Sequence, residues 1–130
     1  MKIKIIVGIL AVILGGLFVF TQIDASENRT TNYDMQTIRA DIENGGQLLD
    51  VRTIGEYAQG HIDGAVNLSL QDIQDGRVPG SEKDKPLYLY CRSGSRSSDA
   101  TKILQSAGFQ YIIDLGAMTK VQLIGGTIKT

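Results

Sequence analysis

Leu87-Tyr88-Leu89-Tyr90-Cys91-Arg92-Ser93-Gly94-Ser95-Arg96 changes character halfway along its length. Its first half is apolar, short and opened by Pro86, which reads as a buried strand closed by Cys91. The second half is polar and contains Gly94, which supplies the backbone freedom for a tight loop. Beyond it, Ala100, Ile103, Leu104 and Ala107 recur at helical spacing, and Gly108 stops the pattern. The unit is therefore strand, loop, helix, with a thiol at the carboxyl end of the strand. In open parallel sheets ligands sit at such ends. The N–H groups opening the following helix favour negative charge there.

Upstream the same alternation repeats. Asp34 can cap a helix carrying Met35, Ile38 and Ile42, and Gly45 ends it. Residues 47–51 read as a strand with Leu48, Leu49 and Val51 apolar. Thr53 and Glu56 form a capping box for a short helix that ends near Gly60. Residues 65–67 read as a second short strand, and Ser69 caps a helical turn through Ile73. Residues 75–85 form a polar loop. Downstream, residues 111–113 read as a strand that Gly116 terminates. Strands alternating with helices imply an α/β domain: a small, doubly wound parallel sheet with helices on both faces. A domain over residues 33–130 is long enough to bury one small core.

The loop has a chemistry of its own. A helix N-terminus and neighbouring arginines stabilise a thiolate. The same amides, with Arg92 and Arg96, can hold an oxyanion above the sulfur. Cys91 is thus the candidate nucleophile, and Arg92, Ser93, Gly94, Ser95 and Arg96 are the candidate anion-binding residues. Ser93, Gly94 and Ser95 act through their N–H groups, while Ser95 or Ser97 can cap the helix. The competing readings are a buried, inert Cys91 and arginines that are solvated or paired with Asp99. Asp50, Arg52 and Glu56 read as a buried network and a helix cap, and Tyr88 and Tyr90 as packing on one sheet face.

Two separated motifs resemble the rhodanese family. One is the loop from Cys91 to Arg96. The other comprises Leu48-Leu49-Asp50-Val51-Arg52, Glu56-Tyr57 and Gly60-His61-Ile62-Asp63-Gly64-Ala65-Val66-Asn67. The resemblance spans residues 48–116. It implies a rhodanese-like α/β fold and transfer of a sulfane sulfur through a persulfide on Cys91, without a cofactor. It further implies a small anionic donor, such as thiosulfate or a persulfide, and a thiol or cyanide acceptor. His61, the sole histidine, sits in the second of these motifs, where the family resemblance implies a structural ring hydrogen-bonded to backbone or carboxylate. The six-residue loop resembles those of the sulfurtransferases. Related phosphatases and arsenate reductases have a loop one residue longer, which suits a tetrahedral phosphate. Alternatives within the fold are a persulfide carrier serving another protein and a non-catalytic binding module. The chain departs from the family near its C-terminus, where a Trp is usual. It contains none, and Met118, Thr119 and Lys120 are the candidates for the pocket rim.

The remaining features exclude some functions and address the chain. The balance of 13 basic against 14 acidic residues, with no basic run, leaves no electrostatic footprint for nucleic acid. One Cys and one His make a poor metal set. Lys2 and Lys4 precede an uncharged apolar run over residues 5–20, the pattern of a signal peptide or membrane anchor within residues 1–25. As a helix the run would reach roughly 24 Å, or about 28 Å if extended to Ile23, against a hydrocarbon core of about 30 Å. Bulky Ile23 makes a poor cleavage signal before Ala25, which favours a retained anchor contacting the membrane through residues 5–23. The two lysines stay inside, so a polar linker over residues 26–32 leads to an extracytoplasmic domain.

Overall fold

A computed structural model describes residues 33–130 of the 130-residue chain. The expected N-terminal hydrophobic helix and the linker lie outside the described residues. Among the described residues no helix is long and apolar enough to cross a membrane.

The chain runs α1 (Met35–Glu43), β1 (Gln47–Asp50), α2 (Ile54–Gln59), β2 (His61–Ile62), β3 (Val66–Asn67), α3 (Leu70–Gln74), β4 (Leu87–Cys91), α4 (Ser95–Ser106), β5 (Ile112–Ala117), α5 (Met118–Leu123) and β6 (Ile128–Lys129). The helix starts follow their side-chain chemistry. Asp34 accepts from the N–H of Thr37, Thr53 and Glu56 close a reciprocal capping box, and Ser69 accepts from the N–H of Asp72. α4 differs: its N-cap is Gly94, and no side chain caps it. Neither Ser95 nor Ser97 takes the capping role expected of one of them.

β3, β1, β4 and β5 form a four-stranded sheet in that order, parallel throughout. Asp50 lies opposite Tyr90 in the β1–β4 register. Alternate residues of β4 serve opposite faces, as strand geometry requires. Leu87, Leu89 and Cys91 pack with Leu49, Val51, Ile73, Ala100, Leu104 and Phe109. Tyr88 and Tyr90 pack on the other side with Met35, Ile38, Leu48, Ile62 and Val121. Helices thus cover both faces of one parallel sheet, the expected α/β arrangement.

Two features differ from the sequence expectation. β5 does not stop at Gly116 but runs through it to Ala117. Its register with β4 slips between Leu89↔Asp114 and Tyr90↔Gly116. The extra residue is accommodated by Gly116 at φ 78°. In addition, β2 and β6 pair antiparallel as a separate two-stranded sheet, with His61 opposite Lys129 and Ile62 opposite Ile128. The pairing of β2 with β6 joins distant stretches of chain and leaves no local signal in the sequence.

Candidate active site

The chain winds from β1 to β3 on one side, then returns to place β4 and β5 on the other. The carboxyl ends of β1 and β4 therefore face one crevice, the switch point where open α/β sheets bind ligands. Two loops meet there: Val51–Thr53 after Asp50, and Arg92–Gly94 after Cys91.

Cys91 is fully buried at the end of β4. The N–H of Gly94 donates to its Sγ at 3.0 Å. This bond satisfies the N–H of the N-cap residue, one of the free donors at the start of α4. Gly94 holds φ 106°, a conformation that costs any other residue. A Cβ on Gly94 would stand 3.7 Å from the Cα of Gly116, an ordinary contact, so the backbone conformation rather than space is what calls for glycine here. The Cys91 thiol lies 3.6 Å from Ser97 Oγ, and that hydroxyl donates to the carbonyl of Gly94 at 3.1 Å. Burial alone would push the thiol up. The Ser97 hydroxyl and the N–H groups of Ser97, Gly94 and Ser93 outweigh it, and the thiol titrates below its ordinary range.

The structure distributes the remaining candidates differently. Ser93 and Gly94 present N–H groups to the sulfur. Arg92 and Ser93 are exposed on the loop, and Ser95 is exposed at the start of α4. Arg96 is not a free cation. Its guanidinium grips Glu56 through two bonds, Nη1 to Oε2 at 2.7 Å and Nη2 to Oε1 at 2.9 Å. The pairing has a plain cause: Glu56 is already fixed by the N–H and hydroxyl of Thr53, at 3.0 and 3.1 Å, with its carboxylate aimed across the crevice. The Arg96 guanidinium holds the Glu56 carboxyl down to about 2. Asp99, the partner weighed from sequence, does not pair with Arg96.

Behind the crevice the Asp50 carboxylate is fully buried. It accepts from the N–H, Nε and Nη2 of Arg52 and from the hydroxyl of Tyr90 at 2.8 Å. Arg52 also donates to the carbonyl of Gly60 at 2.6 Å. This is the structural network read from sequence. His61 has the expected structural role too: Nδ1 lies 2.9 Å from the carbonyl of Tyr57, and its ring stacks on Tyr57 at 3.7 Å. At the expected rim, Lys120 lies beside Gly116: a Cβ there would stand 3.7 Å from Nζ.

Sequence reasoning assigned Ser97 to capping and missed its contact with the sulfur. The signal was present, because Ser97 shares the helical face of Ala100 and Leu104 at i+3 and i+7 spacing. All three are fully buried. The Arg96–Glu56 pair carried no comparable signal, since its members are 40 residues apart.

A parallel sheet with a buried thiol heading an amide-lined loop defines the rhodanese-like class, and residues 34–122 match the model of the rhodanese-like domain. The chain belongs to that family. It is 40% identical over 83 residues to the uncharacterized protein YqhL of Bacillus subtilis, a match covering 64% of each chain. It therefore spans less than two thirds of that relative. It is 29% identical over 77 residues to the thiosulfate sulfurtransferase PspE of Escherichia coli, covering 58% of this chain and 73% of that one. Among solved structures it resembles the Alr3790 protein from Anabaena sp., with a TM-score of 0.62 and 29% identity over 75% of this chain and 79% of that one.

Proposed function

We propose that this protein is a sulfurtransferase that carries a sulfane sulfur from thiosulfate or a persulfide donor to a thiophilic acceptor as a persulfide on Cys91. One observation carries the reading: a buried sulfur at the opening of a helix, with main-chain N–H groups converging on it and a titration below its ordinary range. In the first step the Cys91 thiolate attacks the outer sulfur of thiosulfate. The new S–S bond forms on Sγ, the old one breaks, and its electron pair leaves with sulfite. The negative terminal sulfur then lies where the helix opens and N–H groups can stabilise it. In the second step a thiol or cyanide takes that sulfur, and Sγ departs as thiolate. A thiol already ionised needs no separate base.

The test is mass spectrometry of the full chain after mixing with thiosulfate. The peptide holding Cys91 should gain one sulfur atom, and cyanide should remove it as thiocyanate. Cys91→Ser should abolish both. Uptake from polysulfides but not thiosulfate would redirect the reading to a persulfide carrier. No uptake from any donor would point to a binding module.

The same proposal places the domain outside the cytoplasm, on the strength of Lys2 and Lys4 ahead of the apolar run. Protease added to membrane vesicles of known orientation should reach it only from the extracytoplasmic face.

A further inference from the structure

Ser97 does more than fill the core behind the sulfur. Its hydroxyl is fully buried, stands 3.6 Å from Cys91 Sγ, and has one alternative acceptor, the carbonyl of Gly94 at 3.1 Å. That carbonyl already receives the helical N–H of Ser98 at 3.1 Å, so it remains satisfied when the hydroxyl turns away. A hydroxyl has one proton and rotates freely to place it. While Cys91 is a thiol, the S–H points to Ser97 Oγ and the Ser97 proton points to Gly94. Once Cys91 is a thiolate, the sulfur can no longer donate and becomes the stronger acceptor.

We propose that Ser97 is a catalytic residue whose hydroxyl proton swings between the Gly94 carbonyl and Cys91 Sγ, following the charge and acting mainly in the release of sulfur. The inference rests on the persulfide reading above. In charging, the Sγ–S bond forms, the donor's S–S bond breaks, and the electron pair leaves on the donor fragment. Charge moves off Sγ to the terminal sulfur, so the Ser97 bond is lost. In discharge the acceptor's lone pair forms a bond to the terminal sulfur, the Sγ–S bond breaks, and the electron pair returns to Sγ. The Ser97 bond is regained as that charge develops. Only discharge is accelerated by a donor aimed at Sγ, because the interaction is stronger in its transition state than in its ground state. In charging the same donor also lowers the nucleophilicity of the thiolate it stabilises.

The experiment compares the unaltered full chain with Ser97→Ala and Ser97→Thr by two readouts. The first is the Cys91 titration midpoint, followed by thiolate absorbance. Ser97→Ala should raise it by about one unit, the scale of one hydrogen bond to a charged group, and Ser97→Thr should restore it. The second is single-turnover kinetics of each half-reaction, above the midpoint of every variant so that all are thiolates. Discharge to a thiol should slow about tenfold in Ser97→Ala, while charging by thiosulfate is unchanged or slightly faster. An unchanged midpoint, or equal slowing of both half-reactions, overturns the proposal. Should the unaltered chain take up no sulfur, the sulfurtransferase reading falls with the discharge role, and the midpoint alone decides whether Ser97 donates to the thiolate. Matching thermal unfolding of the variants guards against misfolding, and a Ser97→Thr protein that folds yet fails to rescue also counts against the idea.

Discussion

Glu56 performs two tasks with one carboxylate. It completes the cap of α2 and holds Arg96 at the far end of the cysteine loop. The pair is partly exposed, with about 30% of each side chain open to water, so its contribution to global stability is modest, about 1 kcal/mol or less. Its contribution to the loop is geometric: a two-bond fork fixes where the first turn of α4 begins, and with it the amides aimed at Cys91. Glu56→Gln should therefore lower sulfur uptake more than it lowers the unfolding midpoint, and Arg96→Lys, which loses the fork, should behave alike. The pH dependence follows from the lowered carboxyl. A carboxyl that titrates lower when folded than when unfolded stabilises the fold above its unfolded value of about 4.3. That stability fades as pH falls toward 2. Urea titrations of both proteins should thus differ at pH 6, and the difference should shrink between pH 4 and pH 2. A difference that persisted below pH 2 would count against the ion pair as its source.

At the scale of elements, the strand–loop–helix unit was legible because each part has a local cause. Four apolar residues, a glycine and a helical apolar face mark β4, the turn and α4 with no knowledge of the rest of the chain. The start of α4 was not legible: the sequence offers Ser95 and Ser97 as caps, whereas the N-cap is Gly94, whose N–H donates to the sulfur. The length of β5 was not legible either, since a glycine ends a strand as readily as it makes a bulge. The β4–α4 turn supports a sharp test. Gly94→Ala forces a side chain into φ 106°, at a cost of roughly 1–2 kcal/mol. If the chain relieves that strain by turning, the Gly94 N–H leaves the sulfur. The variant should remain folded, titrate Cys91 higher and charge with sulfur more slowly. A folded Gly94→Ala protein with an unchanged Cys91 midpoint would remove the amide from the account.

Across the whole molecule, the Tyr90 hydroxyl joins parts that the sequence shows as unrelated. It accepts from the N–H of Ile62 in β2 at 3.0 Å and donates to Asp50 in β1 at 2.8 Å, so one buried oxygen ties the small antiparallel sheet to the central one. Tyr90 was legible as core from its place in β4, but its hydrogen bonds were not, because they link segments 28 and 40 residues away. Burial and the Asp50 carboxylate push its hydroxyl well above the ordinary tyrosine range, so it stays neutral throughout the working pH of the thiol. Tyr90→Phe removes that oxygen while keeping the ring that fills the core. It leaves the Ile62 N–H without a partner, and Asp50 keeps Arg52. The expected loss is about 1–3 kcal/mol, the cost of one orphaned buried donor. Cys91 points to the opposite face of β4, so its titration midpoint should not move. Hydrogen exchange should show where the loss falls: the β2 amides should exchange faster, while those of β1 and β4 follow only global unfolding. Equal acceleration in all three strands would mean that the hydroxyl supports the central sheet itself rather than the attachment of the smaller one.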